Sequence, residues 1–189
     1  MENLQKVMDT CLEQGRIKIM DPAMADNGQL YPGLDADFVN RVKKAAARAD
    51  YLLPNITEAC LLTNTPYPAE YDEAFIKKLL YSLASLGCKN IVLTGVSYSG
   101  RNMGVAVYEN GVYNYIQHEK VAKSSPGTGD VFASVFTGAL LRGHSGVKSA
   151  GMAARFVVEC LKETEKHPQH NYGPVFEPLL PKLIEIINT

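Results

Sequence analysis

Short apolar runs alternate with amphipathic segments along the first half of this chain. The runs at 17–20, 51–53 and 91–94 each end at a proline, a glycine or a polar residue, which is typical of short buried strands. Between them, apolar residues recur at helical spacing over 36–49, with Asp35 as the cap, and over 72–86. This alternation predicts a parallel sheet covered by helices on both faces.

The pattern changes in the second half of the chain. Residues 104–108 and 112–116 are strand-like, and Asn110-Gly111 between them is a strong hairpin signal. The other predicted elements are a helix over 1–14 ended by Gly15, a long loop over 21–35, a short helix capped by Asn55 or Thr57 and reaching Leu61, helices over 130–142 and 146–165, and a final amphipathic helix over 179–187.

The size and composition are those of one soluble globular domain over residues 1–189. The chain is 46% hydrophobic and 21% charged, which allows a substantial core. Its net charge of −1 provides no basic surface for nucleic acid or a membrane, and no apolar run approaches the roughly 20 residues of a membrane span. Four widely spaced cysteines without a C-x-x-C pair predict reduced thiols, no zinc site and a cytoplasmic protein.

Polar residues follow each of the three predicted parallel strands. Ligands of such sheets bind beyond the carboxyl ends of the strands, and oxygen-bearing side chains there suit metal and phosphate. Each also has a purely structural interpretation, as a turn residue before Pro22, as a helix cap, or as an ordinary strand residue. The residues in question are Asp21 and Asp26 after the first strand, Asn55 and Glu58 after the second, and Thr94 and Gly95 after the third.

A glycine-bearing turn, Gly127-Thr128-Gly129-Asp130, leads directly into an apolar helix. The first N–H groups of a helix have no partner within it, and they lie at the positive end of the helix dipole, so this turn predicts an anion site. A carboxylate there would repel a phosphate, but it makes sense if Asp130 takes a proton from a hydroxyl during phosphoryl transfer. The alternative is that Asp130 is simply the N-cap of the helix.

Other motifs for catalysis or nucleotide binding are incomplete. The glycine-flanked segment over 95–102 lacks the lysine of a P-loop and continues into a strand. Phe132 stands where a dinucleotide fingerprint beginning at Gly127 would need its third glycine. No G-x-S-x-G or H-E-x-x-H motif is present, so nothing supports a hydrolase or a metalloprotease.

Taken together, these motifs resemble those of the pyridoxal/pyridoxamine kinases in the ribokinase-like superfamily. Hydroxymethylpyrimidine phosphate kinases are similar but typically carry Cys at the position of Asp130, and the sugar kinases usually read G-A-G-D. The resemblance rests on Asp21-Pro22-Ala23-Met24-Ala25-Asp26-Asn27-Gly28-Gln29-Leu30-Tyr31, on Pro54-Asn55-Ile56-Thr57-Glu58, on the strand ending at Thr94, and on Gly127-Thr128-Gly129-Asp130.

The resemblance implies a three-layer α/β/α fold with a mostly parallel sheet and transfer of the ATP γ-phosphoryl group to the 5-hydroxymethyl group of pyridoxal, pyridoxamine or pyridoxine. Hydroxymethylpyrimidine phosphorylation and nucleotide binding without turnover are the alternatives. By similarity, Asp130 is the general base, and the N–H groups of Gly127, Thr128 and Gly129 form the anion hole. Also by similarity, the phosphates and the cation lie near Asp21 and Asp26. Mg²⁺ is held by Asn55, Glu58 and Asp21. A phosphate is contacted by Thr94 and Gly95.

The chain departs from the family pattern in two places. Ala25 stands where the family has Gly, and a position that needs positive φ would tolerate Ala only at a cost. Residue 1 corresponds to the helix before the Asp21-Pro22 strand, so the chain is expected to be N-terminally truncated and to hold the C-terminal two thirds of the family fold. The expected cofactors are ATP, Mg²⁺ and a monovalent cation such as K⁺, and the expected partners are a vitamin B6 compound and a second copy in a homodimer.

Overall fold

The computed structural model describes residues 6–7, 9–11, 14–100, 102–122 and 125–189. Contacts between residues divide the chain into two compact units. Unit 1 comprises Met1–Tyr98 with Ala106–Asn114, and unit 2 comprises Ser99–Val105 with Tyr115–Thr189. The single domain over 1–189 stays a prediction.

The elements follow the predicted alternation of strands and helices. In chain order they are β1 (Ile19–Met20), β2 (Ala25–Asp26), β3 (Gln29–Leu30), α1 (Ala36–Ala46), β4 (Tyr51–Leu52), α2 (Ile56–Thr63), α3 (Glu73–Ser85), β5 (Asn90–Ser99), β6 (Asn102–Glu109), β7 (Val112–Glu119), α4 (Thr128–Leu141), α5 (Gly146–Glu165), a 3₁₀ turn (Glu177–Leu179) and α6 (Leu180–Ile187).

The central sheet has the strand order β1-β4-β5-β6-β7. Strands β1 and β4 are parallel, with Ile19 opposite Tyr51, and β4 and β5 are parallel, with Leu52 opposite Ile91. Strands β5, β6 and β7 are joined by two-residue connections, which only hairpins allow. The predicted α/β class with a mostly parallel central sheet is confirmed.

Helix starts are set by local capping, as the sequence indicated for Asp35. The side chain of Asp35 accepts the N–H of Phe38 at 2.8 Å, and that of Asp72 accepts the N–H of Phe75 at 2.8 Å. Each bond satisfies one N–H that has no partner within its own helix. The predicted helix over 1–14 falls partly outside the described residues; 6–7 and 9–11 are helical, and the predicted end at Gly15 has φ +62.

Two sequence-based assignments were wrong. The segment 21–35 is not simply a long loop, because it contains the β2–β3 hairpin around Asn27 and Gly28, whose φ angles of 51° and 78° are those of a tight hairpin turn. The third strand does not end at Thr94 but runs to Ser99. Gly95, with φ +74, lets the strand continue beyond its parallel partner and into the hairpin with β6.

Each unit has its own apolar core. In unit 1, α3 buries Ile76, Leu80 and Leu83 from one face, at 0% exposure, together with Leu52 and Ile91 from the sheet. In unit 2, α4 and α5 pack together through fully buried side chains that include Phe136, Ala139, Ala150 and Phe156. Burying each large side chain contributes roughly 1.5–3 kcal/mol. None of the described helices is long and apolar enough to cross a membrane.

Candidate functional site

In unit 1, the carboxylate of Glu58 joins the start of α2 to the segment that follows β1. Glu58 is 2% exposed. One of its oxygens accepts the N–H of Met24 at 2.8 Å, and the other accepts the N–H of Asn55 at 2.9 Å. The segment after the first strand is therefore attached to the first turn of the helix that follows the second strand.

Asn55 completes this attachment from the N-cap of α2. Its Oδ1 accepts the N–H of Glu58 at 2.9 Å, so the two residues form a capping box, and the structural alternative for this pair is confirmed. Its Nδ2 donates to the carbonyl of Ala25 at 2.7 Å. The amide of Asn55 is thus engaged at both ends, once within its own helix and once across the fold.

The buried position changes the acidity of Glu58. Loss of solvation raises its pKa from 4.5 to about 7. The hydrogen bonds from Asn55, Met24 and Ala25 oppose the rise, and the negative charge of Asp21 adds to it. Asp21 and Glu58 therefore lie close enough to repel each other when both are ionised, an arrangement that a bound cation would relieve.

The two aspartates after β1 occupy different surroundings. Oδ1 of Asp21 accepts the N–H of Ala23 at 3.2 Å, which confirms a turn role for this residue beside its electrostatic interaction with Glu58. Asp26 lies on the exposed β2–β3 hairpin, where its two oxygens accept the N–H and the side-chain amide of Asn27 at 2.8 and 3.0 Å. The structure brings Asp21 to Glu58, whereas Asp26 bonds to its own turn.

The expected cost at Ala25 does not arise. Ala25 lies in β2, is 0% exposed and is not among the residues with positive φ. Outside the Asn27-Gly28 turn, Ala23 in this segment has a left-handed backbone, at φ +43. A non-glycine residue in that conformation costs roughly 1–2 kcal/mol, so the strain lies two positions before the place where the sequence pattern put it.

Sequence reasoning missed two residues that hold the hairpin. Thr57, 3% exposed, accepts the N–H of Gly28 with its hydroxyl at 3.0 Å. The ring of Tyr67 covers the same glycine, because a Cβ on Gly28 would lie 3.0 Å from its Cδ1. Thr57 was considered only as an alternative helix cap, and Tyr67 carries no motif.

Thr94 lies beside Asn55 at the end of the parallel pairing between the second and third predicted strands. The two residues form an isolated parallel bridge, and the N–H of Thr94 donates to the carbonyl of Pro54 at 2.9 Å. Gly95 follows with a left-handed backbone. Asp21, Asn55, Glu58 and Thr94 thus form one cluster in unit 1, which we call the acidic rim.

In unit 2, the turn at residues 127–130 begins helix α4; we call it the anion turn. Gly127 is the N-cap, with φ +84 and no side-chain cap among the described residues. Asp130 is exposed in the first helical turn, so the interpretation of Asp130 as the N-cap was wrong. A Cβ on Gly127 would lie 3.8 Å from Oδ2 of Asp130, which places the carboxylate beside the open end of the helix.

Two further features bear on what these residues can bind. A cavity of about 680 Å³ lies along the segment between Lys166 and Pro178, with His167, His170 and Val175 in its lining. Among the residues that the structure describes, no group of three His, Cys, Asp or Glu side chains is placed to hold a metal ion by itself. A cation at the acidic rim would therefore need ligands beyond its carboxylates.

Comparison with known proteins finds a family model that covers most of the chain. The profile described as phosphomethylpyrimidine kinase matches residues 1–176. The hydroxymethylpyrimidine/phosphomethylpyrimidine kinase of Aquifex aeolicus (strain VF5) is 26% identical over 118 residues, which cover 62% of this chain and 45% of that protein. The chain thus aligns with less than half of this curated relative.

The solved structures that it resembles are also longer than this chain. A Bacteroides thetaiotaomicron VPI-5482 protein described as a phosphomethylpyrimidine kinase, also crystallised with pyridoxal, has a TM-score of 0.87 at 26% identity, covering 99% of this chain and 65% of its own. Lactobacillus plantarum pyridoxal kinase has a TM-score of 0.84 at 29% identity, covering 97% and 66%. These similarities confirm the predicted ribokinase-like fold.

A more distant structure shares the fold alone. The pyridoxal kinase of Leishmania donovani, solved with ADP and pyridoxamine, has a TM-score of 0.73 at 19% identity, covering 91% of this chain and 59% of its own.

Proposed function

The chain belongs to the phosphomethylpyrimidine kinase family, and from this premise we propose that it transfers the γ-phosphoryl group of ATP to the hydroxymethyl group of a vitamin B6 compound. The observation that carries the proposal is the Asp130 carboxylate in the first turn of α4, beside an N-cap glycine without a side-chain cap. A helix end of this kind offers backbone N–H groups to a phosphate, and the carboxylate offers a base to the attacking hydroxyl.

In this mechanism, Asp130 accepts the proton of the substrate hydroxyl as the hydroxyl oxygen bonds to the γ-phosphorus. The bond from that phosphorus to the β–γ bridging oxygen breaks, and ADP leaves. The N–H groups at Gly127, Thr128 and Gly129 donate to the oxygens of the transferred group, where negative charge develops. Phosphoryl transfer depends on positioning the reactants and neutralising charge more than on covalent catalysis. The anion turn therefore needs only to accept the hydroxyl proton and to stabilise the transferred group.

The acidic rim fits Mg²⁺ by the chemistry of its donors. Mg²⁺ prefers oxygen ligands and keeps several waters, which agrees with a site that has few protein ligands. Asp21 and Glu58 repel each other once Glu58 is ionised, above about pH 7, and a bound cation would relieve this repulsion. We assign direct contact to Asp21 and assign Glu58 and Asn55 to the surrounding shell, because their polar atoms already bind backbone or each other. Bound Mg²⁺ supplies charge neutralisation to the phosphates.

The remaining members of the proposed ATP site have lesser roles. Thr94 and Gly95 would contact a phosphate at the carboxyl end of β5. The hydroxyl of Thr94 makes only a long bond of 3.4 Å to the carbonyl of Pro54, which leaves it able to turn toward a ligand. Asp26 would act from the hairpin on the phosphates or the cation. The monovalent cation and the homodimer stay predictions.

Two substrate classes compete for this site. The vitamin B6 compounds are favoured by Asp130, since hydroxymethylpyrimidine phosphate kinases typically have Cys there, and by the similarity to the Lactobacillus plantarum pyridoxal kinase at 29% identity. Hydroxymethylpyrimidine is favoured by the description of the family and by the Aquifex aeolicus relative. The Bacteroides thetaiotaomicron protein, named for the second class and crystallised with pyridoxal, shows why a name alone does not decide.

A substrate panel tests the proposal. Purified chain is incubated with Mg·ATP and pyridoxal, pyridoxamine, pyridoxine or hydroxymethylpyrimidine, and both ADP and the phosphorylated product are measured. We expect product with at least one vitamin B6 compound and a higher kcat/KM for it than for hydroxymethylpyrimidine. The reverse preference establishes the second class. Binding of Mg·ATP without any product establishes a nucleotide-binding protein and overturns the proposed activity.

A further inference from the structure

We propose that Thr164 is a positioning residue for the anion turn, and that it acts through the chain segment formed by Gly173, Pro174 and Val175, which we call the tail loop. The proposal rests on the proposed function for its catalytic consequence. All residues involved belong to unit 2. Thr164 lies in the last turn of α5, and no sequence motif pointed to it.

The hydroxyl of Thr164 tethers the tail loop to α5. Thr164 is 0% exposed. Its hydroxyl donates to the carbonyl of Cys160 at 2.7 Å and accepts the N–H of Val175 at 2.8 Å. A threonine whose hydroxyl bonded only to its own helix would not connect that helix to another segment. The second bond therefore fixes Val175, eleven residues further along the chain, at a defined distance from α5.

The tail loop in turn lies against the anion turn. A Cβ placed on Gly127 would be 3.7 Å from Cδ of Pro174, and one placed on Gly173 would be 3.9 Å from the carbonyl oxygen of Pro126. A Cβ at either position would thus be in ordinary van der Waals contact, so the two segments are separated by about the space of one side-chain atom, and Pro174 is buried. The proline ring lies beside the left-handed N-cap glycine, on the same side as the Asp130 carboxylate.

The hydroxyl tether matters because other support for this contact is limited. Val175 also lines the open cavity of about 680 Å³, so that side of the tail loop is partly exposed to solvent. Gly127 has no side-chain cap among the described residues, so no described side chain caps the N–H groups of the turn. A glycine is free to change its backbone angles, and a displacement of about 1 Å in a catalytic group can cost as much as about 100-fold in rate.

Thr164→Val tests the tether, since valine keeps the shape and removes both hydrogen bonds. The matched control is Thr63→Val, which removes a hydroxyl that donates to the carbonyl of Ala59 within α2 and contacts the hydroxyl of Thr65. Among the described residues, no backbone N–H donates to it. Thr164→Ser should restore the bonds. A second variant, Pro174→Ala, weakens the same contact from the other end and keeps the test decisive if Thr164→Val fails to fold.

Two readouts are measured on each folded variant. Amide hydrogen exchange at Val175 and the amide chemical shifts of residues 127–129 report on position without any need for activity. We expect Thr164→Val to accelerate exchange at Val175 about tenfold and to shift the amide resonances of residues 127–129. Steady-state kinetics with Mg·ATP and the best substrate of the panel should show a kcat about tenfold lower, KM for the acceptor within about twofold, and recovery in Thr164→Ser.

The outcomes separate this inference from the proposed function. Faster exchange at Val175 with unchanged amide chemical shifts at residues 127–129 overturns the inference, and so does an equal fall of kcat in Thr63→Val. If the wild-type chain phosphorylates nothing, the proposed function fails. In that case the amide chemical shifts of residues 127–129 in Thr164→Val and Pro174→Ala still decide whether the tail loop positions the anion turn.

Discussion

The carboxylate of Glu58 accepts the backbone N–H of Met24 at 2.8 Å across a separation of 34 residues in the chain. Together with the bond from Asn55 to the carbonyl of Ala25, it attaches the segment after the first strand of the sheet to the first turn of α2. It also leaves a carboxylate buried near a second acid, Asp21. Glu58 therefore belongs both to the capping box of α2 and, with Asp21, to the acidic rim.

The first prediction concerns the pH dependence of stability. The pKa of Glu58 is about 7 in the folded chain and 4.5 for the unperturbed group, so the folded state binds more protons between these values. Its contribution to stability is therefore complete below about pH 4.5 and is lost as pH rises through about 7, by at most about 3 kcal/mol. Urea unfolding of Glu58→Gln should lack this decline, whereas Glu70→Gln, at an exposed position, should retain the wild-type profile.

The second prediction links Mg²⁺ to the same carboxylates. A cation binds the ionised form of the pair, so Mg²⁺ should raise the melting temperature more at about pH 8 than at about pH 5. Asp21→Asn should remove most of this effect, since it takes away the proposed direct ligand. A Mg²⁺ response that is equal at both pH values, or unchanged in Asp21→Asn, would place the cation elsewhere.

The third prediction tests the proposed base. Asp130→Asn should lower kcat by about 10²- to 10⁴-fold, because the amide cannot accept the proton of the substrate hydroxyl. ADP binding, measured by calorimetry, should weaken no more than about threefold, or become tighter, since a negative charge beside the phosphates is removed. Asp35→Asn makes the same chemical change at the N-cap of α1 and should leave turnover as it is. Wild-type turnover in Asp130→Asn would refute the assignment.

The fourth prediction concerns the hairpin that carries Asp26. Thr57→Val removes the acceptor of the Gly28 N–H and should lower the free energy of unfolding by about 1–3 kcal/mol, with faster amide exchange at Gly28. Thr57→Ser keeps the hydroxyl and should lose much less. If Thr57→Val exchanges at Gly28 as slowly as the wild type, the ring of Tyr67 alone is holding the turn.

The fifth prediction concerns a glycine that sequence reasoning treated only as part of a strand. A Cβ on Gly104 would lie 2.5 Å from the carbonyl oxygen of Ile116 and 2.5 Å from Cζ of Tyr115, so Gly104→Ala should destabilise the chain by about 3 kcal/mol. Gly138→Ala is the matched control, because a Cβ there meets nothing within 4 Å and lies in a helix, where alanine should stabilise by up to about 1 kcal/mol. Urea unfolding of the two variants should therefore shift in opposite directions.

Interactions between near neighbours in the chain could be predicted from the sequence. The three parallel strands, the caps at Asp35 and Asp72, and the hairpin at Asn110 and Gly111 all follow from residues within a few positions of one another. Apolar periodicity and turn chemistry are local properties, and they are enough to establish the α/β class. The β2–β3 hairpin carried the same Asn-Gly signal at Asn27 and was missed because its strands are only two residues long.

Tertiary structure decided the connections between distant segments. No local pattern places Glu58 on Met24, Thr57 on Gly28 or Thr164 on Val175, since each pair meets only after the sheet and helices have packed. The fold also decided the role of Asp130. The sequence allowed Asp130 to be either the N-cap or a carboxylate at the helix start, and the left-handed backbone of Gly127 makes that glycine the N-cap. The sequence by itself therefore determined which residues stand near strand and helix ends, and packing determined which of them bind one another, because side-chain burial and long-range hydrogen bonds depend on the whole fold.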